Sequence, residues 1–475
     1  MKRLMILGFL LFNVVGCSVG PHYQRPVVMP PANFRGLEGQ PSSESLADTA
    51  WWDLFTDDQL KSLIDEALRN NYDMRIAVWR VEEARAQAGI SRSQFYPQID
   101  YSATISRARQ SIYVAPAAKG KAATAYQADV GVSWEIDLWG RIRQLNEAAR
   151  AQYLATEEAH RGVRLSLVAE VSREYFQLRD LDHELEITRR THIAFNETYE
   201  LFERRLEEGI ASGLETSRAQ AARDSVAASI PEIERQIAAQ ENQLSLLLGR
   251  APGPIQRGSA ISIAHLIPTI PAGLPSLLLE RRPDVRQAEQ LLVAANANVG
   301  VAKASFFPAV SLTGLFGGTS PEVDELFGNG KSWSISAGLF GPIFQGGRLK
   351  RQHEVAVAQW EQAKIEYELA VNNAFAEVAT SLVANQKIAE AEVWIAKEVA
   401  AYREAVMLVN ERYLAGLSNY FEVLDAMQQL YPAEIALSQV HRERLVNFSQ
   451  LYKALGGGWQ TQQQSQTQPT ASRAP

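Results

Sequence analysis

The segment YQADVGVSWEIDLW, Tyr126 to Trp139, alternates between two kinds of residue with little interruption. Tyr126, Ala128, Val130, Val132, Trp134, Ile136 and Leu138 fall on one parity, and Gln127, Asp129, Gly131, Ser133, Glu135 and Asp137 on the other. Successive side chains of a strand point to opposite faces, so the segment predicts a strand that is apolar on one side and polar on the other. What the apolar side meets decides the fold, because most of the surrounding sequence carries a helical period.

Three further stretches alternate in the same way. After Phe95-Tyr96-Pro97, Ile99, Tyr101, Ala103 and Ile105 stand opposite Asp100, Ser102, Thr104 and Ser106. AVSLTGLFGG, following Pro308, sets Val310, Leu312 and Phe316 on one face, and SWSISAGLF sets Trp333, Ile335, Ala337 and Leu339 against serines. The pattern predicts strands near 98–107, 126–137, 309–318 and 332–341, paired as two hairpins. Strands of about nine to eleven residues cross a bilayer when tilted. Tyr101, Tyr126, Trp134, Trp139, Trp333 and Phe340 suit an interfacial or lipid-facing position. A sheet in lipid must close on itself, since open edges leave backbone groups without partners. Four strands are too few; barrels need about eight, and at eight side chains fill the lumen. Three copies would pool twelve strands around an open lumen, so a trimer sharing one barrel is expected. The competing reading of the same residues is two hairpins packed on helices outside any membrane.

The chain is duplicated. Asn71-Tyr72-Asp73-Met74-Arg75 matches Arg282-Pro283-Asp284-Val285-Arg286 at an offset of 284 − 73 = 211, which also pairs Gly89 with Gly300 and Phe95-Tyr96-Pro97 with Phe306-Phe307-Pro308. Farther on, Arg205, Gly209, Leu214, Glu215 and Ala219 align with Arg412, Gly416, Phe421, Glu422 and Ala426 at 412 − 205 = 207. Such self-similarity governs the fold and is read first. Each half predicts a helix, two strands, a long helix, a break and a returning helix. From Arg141 to about Gly209 there is no proline, and Val163, Leu167, Val171, Tyr175, Leu178, Leu181 and Leu185 recur at three and four. Leu349 to Tyr413 repeats the pattern with Ile365, Leu369, Val378, Leu382 and Val399. About sixty helical residues reach about 90 Å, a length suited to coiled coils or helical tubes, with breaks where a tube changes diameter. Each long helix ends near glycine, at tips near 209–213 and 416–420, and returns over Leu214–Leu248 and Phe421–Leu455. Pro231 and Pro432 fall inside the returning helices, where they predict bends.

Composition narrows the class. The 475 residues are 46% hydrophobic with a net charge of -7, and no long basic run points to nucleic acid. No stretch of about twenty apolar residues follows the N-terminus, so strands must do any membrane crossing. Lys2 and Arg3 precede the apolar run Leu4 to Val15, which ends in Gly16 and the only cysteine, Cys17. This is an export signal that resembles the lipobox of bacterial lipoproteins. Cys17 would become the first mature residue and carry several acyl chains, palmitate among them, and Ser18 resembles an outer-membrane sorting residue. The expected organisation is a signal peptide at 1–16, a lipid-anchored extended segment at 17–60, repeats at 61–257 and 258–455, and a disordered polar tail at 456–475.

With these motifs in place, the chain resembles the TolC-like outer membrane factors, in their lipidated efflux branch. The resemblance rests on Trp51-Trp52-Asp53-Leu54-Phe55, the Ser93–Pro97 run SQFYP, Trp134-Glu135-Ile136-Asp137-Leu138-Trp139-Gly140, Arg281-Arg282-Pro283-Asp284-Val285-Arg286, Gly341-Pro342-Ile343-Phe344, Gly346-Gly347-Arg348-Leu349 and Glu422-Val423-Leu424-Asp425-Ala426. It implies a mixed α/β membrane protein: a trimeric channel-tunnel with a twelve-stranded barrel, a long periplasmic α-helical barrel and a closed tip. It implies as partners a periplasmic adaptor and an inner-membrane transporter of the RND type. The family's polar ring near the second tip maps onto Arg412, Tyr413, Asp425 and Gln428. Members often carry Arg where this chain has Gln428, which leaves Asp425 to pair with Arg412 or with Arg218 on a neighbouring helix. Arg205, Gly209, Arg412, Gly416 and Asn419 are the adaptor-docking candidates; ordinary turn and solvated-helix roles are the alternative for all of these.

Catalysis is disfavoured. The seven histidines are scattered without metal-ligand spacing, and no GxSxG, P-loop or HExxH run is present. No metal or cofactor is expected beyond the lipid on Cys17. Two other readings stay open: a duct for type I protein secretion, and a coiled-coil lipoprotein scaffold without a pore.

Overall fold

The computed structural model describes residues 19–36, 45–109, 111, 113, 121–258, 273 and 275–457. Short helices α1 (Trp51–Leu54) and α2 (Asp58–Asn70) precede α3 (Tyr72–Ser93), strands β1 (Gln98–Arg109) and β2 (Ala122–Ile136), and helices α4 (Arg141–Glu207) and α5 (Gly213–Leu247). The second half supplies α6 (Pro275–Arg281), α7 (Pro283–Ala304), β3 (Ala309–Ser320), β4 (Lys331–Phe340), α8 (Arg348–Leu414) and α9 (Tyr420–Ala454). The duplication is carried into the elements: α3 and α7 have 22 residues each, α4 and α8 have 67, and α5 and α9 have 35.

Several expectations are corrected. The long helices run unbroken over their 67 residues, whereas α5 and α9 continue through Pro231 and Pro432 as expected of prolines that do not end a helix. The segment 17–60 is not wholly extended, since α1 lies inside it and α2 begins at Asp58. There Asp57 accepts hydrogen bonds from the Gln59 and Leu60 amides and starts the helix. Strands β1 and β2 extend past the alternating stretch to Arg109 and back to Ala122, because Ala122, Ala123 and Ala125 add ladder bonds without adding an alternation to read.

The repeats are not spatial domains. Each of two compact units draws on both: of the described residues, one holds those within 19–27, 80–157 and 287–368, the other those within 28–79, 158–286 and 369–457. In the first, the strands form one antiparallel sheet in the order β1-β2-β3-β4, so the two expected hairpins are joined through β2 and β3. In the second, Trp51, Leu54, Leu60 and Ile64 pack on Val171, Tyr175 and Leu178 of α4, Leu244 and Leu248 near the end of α5, and Phe448 and Tyr452 of α9. Ile64, Val171, Leu178 and Leu244 are fully buried, and each such side chain contributes about 1.5–3 kcal/mol. The Tyr175 hydroxyl donates to Asp57 at 2.9 Å and accepts from the Gly258 amide at 2.9 Å, so this core has a satisfied polar centre.

The repeat also explains RRPDVR and NYDMR. Asn71 donates its amide to the Leu247 carbonyl at 2.9 Å, and Arg282 donates to the Ala454 carbonyl at 3.0 Å. The acceptors are 454 − 247 = 207 residues apart, so each copy ties the head of the helix before its strands, α3 or α7, to the end of its returning helix. Both hold otherwise orphaned helix-terminal carbonyls.

Candidate functional site

The sheet sorts its side chains by polarity across all four strands. Ile99 pairs with Val132, Tyr101 with Val130 and Ile105 with Tyr126; Val130 pairs with Phe316 and Trp134 with Leu312; Phe316 pairs with Trp333 and Leu312 with Ala337. Residues directly opposite share a face, so these form one continuous apolar surface. It is bare: Tyr101 is 86% exposed, Ile335 81% and Trp333 71%. The opposite face carries Asp100, Ser102, Thr104, Gln127, Asp129, Ser133, Thr313, Ser334 and Ser336. Asp129 accepts from Ser102 Oγ and Gln127 Nε2, both at 3.0 Å, and the Thr313 and Ser336 hydroxyls lie 2.6 Å apart. Among the described residues neither β1 nor β4 has a strand on its outer edge. No helix among the described residues is long and apolar enough to cross a membrane.

The motif WEIDLWG is the joint between sheet and helix. Trp134 donates to the Phe95 carbonyl at 3.0 Å, and Trp139 to the Pro308 carbonyl at 2.8 Å while stacking on Phe307 at 4.8 Å. Glu135 receives both arms of Arg141 at 2.9 and 2.7 Å. Asp137 accepts from the Ile142 and Arg143 amides at 3.2 and 2.9 Å, which caps α4. Gly140 takes φ 80°, a turn that side chains disfavour.

At the helical tips, Gly209 and Gly416 adopt φ 73° and 71°. The Ile210 amide bonds to the Arg205 carbonyl at 2.8 Å, and Leu417 to Arg412 at 2.9 Å, the left-handed ending that glycine permits. Ser212 then caps α5 in a reciprocal box with Glu215, and Asn419 caps α9 by accepting from the Glu422 amide at 3.3 Å. The docking candidates Arg205, Gly209, Gly416 and Asn419 thus each have a part in turning the chain.

The gate candidates are brought together only in part. Asp425, Arg412, Arg218 and Gln428 are all exposed. The expected pairing of Asp425 with Arg412 or Arg218 is not made within the chain: Arg218 stands over the Phe421 ring at 5.0 Å, and Arg412 donates to its own turn at Leu417 O, 3.5 Å away. Asp425 has no ion-pair partner among the described residues. The contact that does form joins a docking candidate to a gate candidate. Arg205 on α4 donates to the Tyr413 hydroxyl on α8, with its guanidinium carbon 5.5 Å from the ring centroid. Tyr413 meets Tyr420 edge-on at 5.5 Å, and Tyr420 packs on Phe202 at 4.4 Å. Val226, Val423 and Leu424 extend this cluster, which ties the two hairpins together at their tips.

Higher on the same helices lie groups that sequence reading passed over. Glu434, buried on α9, receives Arg190 from α4 and Arg403 from α8, the latter at 2.7 Å. Asp180 on α4 takes Arg442 at 2.8 Å and Ser438 from α9. Burial lowers the His441 pKa below its usual 6.5, outweighing Glu392 at 3.4 Å, a carboxylate already held by Arg444. Cys17, the expected lipidation site, lies outside the described residues.

A sheet with one bare apolar face, one polar face and two open edges, together with paired helical hairpins, defines a subunit of a membrane channel. The model for the family described as outer membrane efflux protein matches residues 63–250 and 274–457. The solvent efflux pump outer membrane protein SrpC of Pseudomonas putida is 36% identical over 470 residues, covering 98% of this chain and 100% of that protein. Among solved structures, the open state of the Neisseria gonorrhoeae MtrE outer membrane channel has 33% identity and a TM-score of 0.83, covering 93% of this chain and 99% of that one. The Campylobacter jejuni CmeC outer membrane channel has 27% identity and a TM-score of 0.87, covering 93% and 95%. The chain therefore belongs to the outer membrane efflux protein family. It is an efflux channel component of the cell outer membrane, with the fold of the trimeric outer membrane channels.

Proposed function

We propose that three copies of the chain form a passive export duct that carries small toxic molecules and drugs across the outer membrane. The observation that carries this reading is the sheet: its bare apolar face suits hydrocarbon, its polar face suits a wet lumen, and its unpaired edges need further copies to close. Four strands per chain make twelve in a trimer, enough for an open lumen. The duct has no chemistry of its own. Energy comes from an inner-membrane transporter of the RND type, and a periplasmic adaptor docks at the tips near Arg205, Gly209, Gly416 and Asn419. Arg412, Tyr413, Asp425, Gln428 and Arg218 form the gate, with Asp425 pairing across the boundary between copies. Lipid on Cys17 adds an anchor beside the barrel.

Counting subunits in the detergent-extracted oligomer and measuring its conductance in planar bilayers tests the proposal. Three subunits with discrete conductance steps are expected. A single copy that stays dissolved without detergent and conducts nothing would overturn it.

A further inference from the structure

The charges of the sheet are segregated by sign. Every carboxylate on the strands, Asp100, Asp129 and Glu135, has the polar parity. Every strand cation, Arg107, Arg109 and Lys331, has the apolar one. Arg107 and Arg109 continue the series Ile99, Tyr101, Ala103, Ile105, pairing with Thr124 and Ala122; Lys331 continues Leu339, Ala337, Ile335, Trp333 and pairs with Gly318. The side chains agree with the register, since Lys331 Nζ lies 5.4 Å from the centroid of Phe316, a ring on the apolar face. All three cations are exposed, and none forms an ion pair among the described residues.

Their level on the strands matters as much as their face. β1 is entered from α3 at Gln98 and β2 leaves for α4 after Ile136, so Arg109 and Ala122 mark the opposite, loop-bearing end. Lys331 likewise opens β4 directly after the loop from β3. Cations on the lipid face are costly at the bilayer midplane but nearly free at the interface, where long stems reach the headgroups. β1 and β4 are the outer edges of the sheet. Closure with further copies sets β4 of one chain beside β1 of the next, so Lys331 of one copy and the two arginines of its neighbour border the same seam.

We propose that Arg107, Arg109 and Lys331 form an outward-facing site for the phosphates of an anionic glycolipid of the outer leaflet, completed only when two copies meet; this rests on the closed-barrel reading above. Two guanidinium forks match phosphate oxygens in pairs, and the lysine supplies a mobile point charge. The neighbouring Tyr126, Phe316 and Trp333 give the acyl region an aromatic floor on the same face.

The test uses purified trimers in nanodiscs and native mass spectrometry, with bisphosphorylated lipid A, the same lipid stripped of phosphate, and inorganic phosphate as probes. Wild-type trimers should retain the bisphosphorylated lipid about tenfold or more better than the stripped one. The variant R107Q/R109Q/K331Q should lose that preference, and R107K/R109K should keep most of it. Equal retention of the two lipids by wild type, undiminished preference in the glutamine variant, or displacement of the lipid by equimolar inorganic phosphate would overturn the site. Conductance of the same trimers separates the two failures. Conducting trimers indifferent to phosphate sink only the lipid site, whereas absence of conducting trimers sinks the channel reading.

Discussion

Removing the Arg205 guanidinium should open the tip. Within each chain Arg205 is the polar group that links α4 to α8 there, donating to the Tyr413 hydroxyl while lying 5.5 Å from the ring centroid. A cation over an aromatic ring at a partly exposed site contributes about 0.5–1 kcal/mol, and a hydrogen bond about 0.5–1.5 kcal/mol net. The same two groups make both contacts, so the terms are not additive and about 1 kcal/mol per chain is a reasonable total. Three copies acting together give about 3 kcal/mol, or roughly a hundredfold in the ratio of open to closed states. Tyr413→Phe keeps the ring and loses the hydroxyl, so its effect should be about tenfold. Single-channel recordings in planar bilayers read these ratios directly, with trimer integrity checked on the same preparations. If Arg205→Ala trimers stay closed to within about twofold of wild type, the link is a packing detail and the barrier to opening lies elsewhere.

Two further outcomes are expected. Reversing Arg218 or Asp425 alone should raise the open fraction, whereas the exchange of both, Arg218→Asp with Asp425→Arg, should restore closure in the same recordings; additive opening in the double variant would exclude their pairing between copies. Thermal stability of the solubilised trimer should fall as pH drops below about 6.5, because burial depresses the His441 pKa and the unfolded chain takes up its proton first; stability is complete above the unfolded value and lost on the way down to the folded one. His441 faces Asp180 and His183 from α4, Glu392 from α8 and Arg444 on its own helix. His441→Gln should flatten that slope, and an unchanged melting profile between pH 7.5 and 5.5 would count against it.

The elements were legible wherever a side-chain period exists to be read. Period two located all four strands, and the proline-free runs from Arg141 and Leu349 located the long helices within a residue or two of their starts. Pairing across distance was not legible. Nothing local in Val130 or Phe316 announces that they are neighbours, because the β2–β3 register joins segments from different repeats. Ion pairs were hidden for the same reason: Glu434 meets Arg190 across 244 residues, and an isolated glutamate on a helix looks like any solvated one. The capping box at Ser212 and Glu215, by contrast, was present in the sequence as a serine followed three positions on by a glutamate.

At the tip the two copies of the duplicated chain have diverged. At the 207-residue offset Arg205 and Arg412 are the same residue, yet only Arg205 finds a phenol, because the counterpart of Tyr413 is Leu206 and that of Tyr420 is Gly213. The same offset sets Arg218 against Asp425. In the proposed trimer, with six hairpins alternating around a ring, equivalent positions would recur at one level, so arginine and aspartate would alternate there, whereas identical repeats would set six like charges face to face. Like charges at close range repel and opposite ones attract by a similar small amount, about 0–1 kcal/mol per exposed pair. Six such contacts would close a ring without locking it. The gate proposed above therefore falls where the repeat symmetry is broken, at Leu206 against Tyr413, Gly213 against Tyr420 and Arg218 against Asp425. Asp425 has no ion-pair partner among the described residues, and in the trimer proposed above its complement would be the Arg218 that the next copy supplies.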